Sequence, residues 1–507
     1  MYLDFTHPIF RFSFIVVLVA GVALSTAHSA TVTVDPLAAT VPGSVYADLP
    51  SCVEVNMLTG DQWADGNNDT VLLSTNTFHR VINDNVDFAV FGAPNGSVTV
   101  RSAGPGPAII VSDPFASRDV RGLLECATSG NFTFENLTLI GKPNQDGAPI
   151  GSGGFELRGA FKIAADAAGE RVSVNIRNVV VTANNGSNGP ILDYTLPFPT
   201  DNHGTFMRAI HANDDRFRGD FVDINVENCV FAYTIGSSND NDGGGVAVFR
   251  ARDSGVTSAT QEAHFKNCLF TNCQTSGVSI GGGTENYNVT LEDCLISNVN
   301  ESGISLSLFD SDGIVWGQPT LNVLHTIIDS PQSGITNDVA SDQVFTGTLN
   351  LDEVTFNCAG QDAVSFVNHT ASEGNFNFSN VIAPQVSSLF RLQPDPSPNS
   401  GPAPLSLSAA SLATNSAALA SQAPSVQSTL SAAVVSAADP GFFNTAFGPS
   451  FVGLREWDST TNDLFDVTNV DYAGIGTVGA DLGGGAEFIG GNIPTPPSSV
   501  DDWRLYE

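Results

Sequence analysis

The chain has 507 residues, with 53 acidic against 19 basic side chains and a formal net charge of −34. So acidic a balance argues against nucleic acid and anionic lipid as partners, because counterion release needs clusters of Lys and Arg. It suits a surface kept hydrated in a salty medium, with binding of a divalent cation such as Ca²⁺ as the sharper alternative.

Residues 1–29 read as a secretory signal peptide: Arg11, an apolar run from Phe12 to Leu24, then small residues up to Ala30. The run is too short for a membrane span, so the expectation is a secreted or cell-surface monomer with no membrane insertion after cleavage. Residues 30–130 follow as an N-terminal cap and opening coils, where Cys52 and Cys126 could form a bridge in an oxidising compartment, an alternative the sequence leaves open.

From 131 to 393 one unit keeps returning. It is an alternating apolar run broken by a small polar residue, then, about ten residues later, a Gly-apolar-x-apolar strand, as in Val289–Ile296 followed by Ser302–Leu306. The polar residue recurs at Asn136, Asn178, Asn228, Asn267, Asp293, His325, Glu353 and Asn380, at intervals of 42, 50, 39, 26, 32, 28 and 27. A unit with period-2 alternation and no 3.6-residue periodicity disfavours a leucine-rich repeat. It predicts an all-β fold, a right-handed parallel β-helix (solenoid), with strands of successive coils about 4.8 Å apart.

The polar series is expected at coil corners, where Asn, Asp and His side chains can satisfy turn backbone above and below. The residue before it reads Glu135, Arg177, Glu227, Lys266 and Glu292, an alternation of sign suited to pairing between coils. Cys229, Cys268 and Cys294 follow the polar residue and are expected to stack as small apolar side chains in the core. Nine Asn-x-Ser/Thr sequons are the number such a composition produces by chance. Residues 394–438 are Pro-, Ser- and Ala-rich and read as a linker or a cap over the open end. A closing β segment is expected over 439–490 and a tail over 491–507.

Asn68–Leu73 and Val98–Gly106, with the repeat itself, resemble the opening coils of the pectin-lyase-like, right-handed β-helix repeat proteins. Asp439–Phe442 and Gly479–Glu487 are similar to the closing segment of many bacterial, extracellular members. The resemblance implies the fold and a polysaccharide or cell-surface glycan as partner. Asn239–Val246 and Ser276–Gly283 resemble two polygalacturonase segments, but the position of that enzyme's catalytic histidine is Ser276 here, and no Asp-Asp strand lies between them. The Arg-x-Pro-x-x-Arg segment of pectate lyases is not found.

Three coils carry longer connections, at 141–153, 184–203 and 236–244, expected to stack on one edge as the wall of a cleft. The candidate catalytic residues there are Asp193, Asp201, His203 and Arg208. Tyr194, Lys142, Glu156 and Arg158 are the candidate substrate contacts, and Asp240 and Asp242 the candidate Ca²⁺ ligands. Paired carboxylates suit hydrolysis of a glycosidic bond; carboxylate-held Ca²⁺ beside a Lys, Arg or His base suits β-elimination from a uronic acid. His211-Ala-Asn-Asp-Asp215 is expected on the opposite edge as an acidic turn. Two functions fit: a non-catalytic adhesin, scaffold or glycan-binding rod, and a polysaccharide lyase or glycoside hydrolase working in the cleft.

Overall fold

The computed structural model describes the strands and adjoining turns between 31 and 436, together with 480–481 and 485–486. The larger stretches outside the described residues are 1–30, 53–67, 82–88, 113–122, 142–158, 164–170, 197–205, 213–220, 236–243, 249–259, 309–318, 340–346, 367–373, 393–405, 437–479 and 487–507.

The chain is all-β with parallel sheets, a 19-stranded and a 10-stranded one. Each repeat supplies three strand segments, the first two of which run on as one strand in repeats such as Thr320–Asp329 and Thr348–Asn357. In one repeat these are Asn286–Glu292, Leu295–Val299 and Ile304–Leu308. Every one pairs in parallel with its counterpart one repeat away: Val289 with Leu321, Ile296 with Ile328, Ile304 with Ile335. The first and second strands thus build two columns of the large sheet, and the third strands build the small sheet. This stacking is compatible with a β-helix solenoid.

The polar residue is what separates first strand from second. All eight members of the series, Asn136 through Asn380, have positive φ, between 45° and 55°. Left-handed backbone is costly for most side chains and least so for Gly, Asn and Asp, which explains why Asn and Asp supply six of the eight. The side chains also link repeats. Asn267 Nδ2 donates to Asn228 Oδ1 at 2.6 Å, and His325 lies between Asp293 at 3.3 Å and Glu353 at 3.0 Å.

The alternating-sign series pairs in register, Arg177 with both Glu135 and Glu227, and Lys266 with both Glu227 and Glu292. Lys266 Nζ reaches Glu292 Oε1 at 2.7 Å. That hydrogen bond raises the Lys266 pKa and lowers that of Glu292. Such partly exposed pairs contribute at most about 1 kcal/mol.

The recurring glycine of the third strand has a steric origin. A Cβ on Gly277, Gly303 or Gly334 would lie 2.5, 2.3 or 2.4 Å from a side chain of the second column, Ile296, Ile328 or Phe356 respectively. These apolar groups belong to one continuous core that runs from Val32 to Leu430. The helix Pro424–Ala433 packs on the last long strand, Ser406–Thr414, and sends Val426 and Leu430 into the same core. Ala480–Asp481 and Gly485–Ala486, within the expected closing segment, form a short antiparallel pair.

All seven cysteines are free and buried, so Cys52 and Cys126 are not bridged. Cys229, Cys268 and Cys294 do stack: the thiols of Cys268 and Cys294 donate to Val226 and Phe265 carbonyls of the preceding repeat. Burial raises the pKa of both thiols. Four sequons, at Asn68, Asn131, Asn288 and Asn377, start at outward positions of the first column. Polar-apolar-polar is simply what a half-solvated strand writes.

Candidate functional site

Of the ten candidate residues, eight lie outside the described residues: Lys142, Glu156, Arg158, Asp193, Asp201, His203, Asp240 and Asp242. The two described ones are not exposed cleft residues. Tyr194, expected to offer its ring to a ligand, is only 5 % exposed, and burial raises its phenol pKa. Its carbonyl accepts from Asn272 Nδ2 at 2.8 Å, while Tyr233 donates its hydroxyl to the Leu196 carbonyl at 3.0 Å. The described part of the 184–203 connection is therefore tied to a later repeat, because buried amide and phenol groups must find partners. Arg208 is 2 % exposed and stands opposite Gly159 in the small sheet.

The structure brings together residues that the sequence reading passed over. Three successive strands of the small sheet, Leu124–Cys126, Gly159–Ile163 and Arg208–Ala212, place Glu125, Lys162 and His211 in register. Each alternates with core residues: Glu125 between Leu124 and Cys126, Lys162 between Phe161 and Ile163, His211 between Ile210 and Ala212. Period-2 geometry thus turns all three away from the core. Lys162 Nζ donates to Glu125 Oε1, and both side chains are 6 % exposed. His211 is 2 % exposed, and Gly159 leaves room beside it, since a Cβ there would lie 3.2 Å from His211 Cβ. The signal was available in the alternation itself, a lone charge between apolar neighbours in three consecutive third strands.

The same outward column continues as Ala247, Ser279, Ser305, Thr336 and Ser365. Ser279 and Ser365 are 3 % and 4 % exposed, whereas the corresponding outward residues of the first column, such as Asn322 and Asn350, are half-buried. A carboxylate, an ammonium and an imidazole thus share one row of the small sheet, with Arg208 outside it, three residues before His211 and opposite Gly159. Chemically the row contains an acid, a base and a cation able to hold an anionic group. No group of three or more His, Cys, Asp and Glu among the described residues is placed to hold a metal ion. No helix among them is long and apolar enough to cross a membrane.

No protein-family model matches the chain, and no curated protein or solved structure matches it either.

Proposed function

We propose that the chain is a right-handed parallel β-helix of the pectin-lyase-like kind, secreted or displayed at a cell surface. Its function is that of a glycan-binding rod, with the glycan against the outer face of the small sheet. Support for the solenoid over a closed barrel comes from the pairing. It advances one repeat at a time in chain order, from Thr31–Val34 through Ser406–Thr414 to Val434–Ser436. A barrel would return to its first strand.

The glycan reading is carried by the burial of polar groups on the small sheet's outer face. Polar side chains that face away from a core normally stay wet. Here Glu125, Lys162, His211, Ser279 and Ser365 do not, so the face is covered rather than an open flank, and we infer that it is the floor of a recess. A polar-floored recess along a rod fits an extended, hydroxyl-rich chain.

A second reading, a polysaccharide lyase or glycoside hydrolase, is favoured by the meeting of Glu125, Lys162 and His211 in that recess. Lys162 and His211 have the chemistry to abstract a proton. One panel separates the two. Acidic and neutral polysaccharides are tested for retention of the protein, for new reducing ends and for absorbance of unsaturated uronates, with and without Ca²⁺. Retention without turnover supports the rod; turnover that disappears in His211→Ala supports the enzyme. Neither retention nor turnover overturns both.

A further inference from the structure

The outward face of the first column has a composition that the fold does not require. From Asn286–Glu292 onward, two of its columns consist of Asn, Thr and Ser alone. One runs Thr290, Asn322, Asn350, Asn377 and Ser408, and the other Asn288, Thr320, Thr348, Asn375 and Ser406. Earlier strands at the same two positions carry Asp223, Glu262 and His264, so the architecture accepts charge there. In a chain with 53 acidic side chains, these two columns have been left neutral over five successive repeats, while the next outward position of the same strands carries Glu292 and Asp352. The ordinary solvated flank of an acidic protein would share the acidic character of the rest.

The amides on this face are already held. Asn377 Nδ2 donates to Asn350 Oδ1 at 2.8 Å, Asn350 Nδ2 to Asn322 Oδ1 at 2.7 Å, and Asn322 Nδ2 to Asn288 Oδ1 at 2.9 Å. Ser408 extends the chain by donating to Asn377 Oδ1 at 2.6 Å. A primary amide has two donors and an acceptor with two lone pairs, so Asn350 and Asn377 each keep one N–H and one lone pair for a ligand, while Asn322, which also donates to Thr290 Oγ1 at 3.1 Å, keeps a lone pair. Orientation has been fixed in advance, and association need not order these side chains again. The array repeats about every 4.8 Å along the rod and about every 6.6 Å along each strand.

We propose that this face is a second binding surface, separate from the small-sheet recess, and that it takes a neutral, hydroxyl-rich polysaccharide laid along the rod. The occupant follows from charge and from donor-acceptor pairing. No cation stands in the two columns to hold a carboxylate or sulfate. An acidic polymer would meet the repulsion of a −34 molecule. Sugar hydroxyls, each a donor and an acceptor, complement what the amides leave free.

The test uses the full chain and affinity electrophoresis through gels containing a soluble neutral glucan, a neutral mannan or polygalacturonate. Thr320→Glu with Thr348→Glu charges the face without touching the Asn ladder, and Glu125→Gln with Lys162→Met alters the recess. The expected result is retardation by a neutral polymer that falls at least tenfold in the Thr320/Thr348 variant and is kept in the Glu125/Lys162 variant. Circular dichroism melting unchanged in the former shows that the fold survived; if it melts early, Thr320→Val with Thr348→Val, which deletes hydroxyls without adding charge, must give the same loss. The proposal is overturned by retardation in polygalacturonate alone, or by loss only in the recess variant. It is equally overturned by no retardation in either neutral polymer, or by a wild-type dimer that the face variant dissociates.

Discussion

Gly303→Ala is the substitution with the most direct readout of how the repeats stack. The added Cβ would lie 2.3 Å from Ile328 Cγ2 and 2.9 Å from the Gly334 carbonyl oxygen. Neither neighbour yields easily. Ile328 is fully buried, and the Gly334 carbonyl already accepts from Ile304 N at 2.9 Å. Overpacking of this kind costs typically about 1–3 kcal/mol. Two repeats further on, the chain carries its own solution: Ala363 takes the position after Gly334, and Ala383 takes that after Phe356. The double variant Gly303→Ala with Ile328→Ala should imitate that pair. Ile328→Ala alone should cost about 2–5 kcal/mol through its cavity. In the double variant the new methyl occupies part of the space, so the two effects should fall short of additivity by about 0.5–3 kcal/mol. Urea unfolding followed by far-ultraviolet circular dichroism gives the midpoints. A Gly303→Ala midpoint equal to wild type, or a strictly additive double variant, would refute the steric account of the recurring glycine.

Lys162→Ala should destabilise by about 3–5 kcal/mol because it strands the Glu125 carboxylate in a buried site, whereas Glu125→Gln with Lys162→Met should stay within about 2 kcal/mol of wild type; equal losses in both, measured by urea titration, contradict a buried ion pair. His79 is buried, its Nε2 shares a hydrogen bond with the Ser74 carbonyl at 2.8 Å, and desolvation lowers its pKa below 6.5. A base with a depressed folded pKa gives stability that is complete above the unfolded pKa and is lost as pH falls through the folded one. Protection of the Leu73 and Val81 amides, taken relative to base-catalysed intrinsic exchange at each pH, should therefore fall between pH 7 and pH 5 in the wild type and much less so in His79→Gln; the same fall in both removes His79 as the cause. With every cysteine buried and reduced, native protein should not react with a thiol reagent, and unfolded protein should titrate all seven; a thiol count below seven after unfolding without reductant would mean a disulfide.

The series from Asn136 to Asn380 was readable because one backbone conformation imposes one residue preference, and the preference survives insertions that change the interval from 26 to 50. The third strand's glycine was equally visible, but its cause was not, since Gly303 meets a methyl of Ile328 that lies 25 residues on. Glu125, Lys162 and His211 escaped the sequence reading for a related reason. They are 37 and 49 positions apart, and no local pattern says that 125, 162 and 211 share a row. Tyr194 was misjudged because an aromatic in a long connection reads as a ligand contact until its partner, Asn272, is known to lie 78 residues away.

The sequence by itself determined the all-β class, the corner positions and the alternation of inward and outward side chains, because these depend on backbone preference and on a period of two. The tertiary structure decided which charged residues meet, which outward face is buried and which stays open, and that the thiols remain unpaired. Those outcomes depend on register between strands tens of residues apart, and register is set by the summed length of every intervening connection, which no local pattern records.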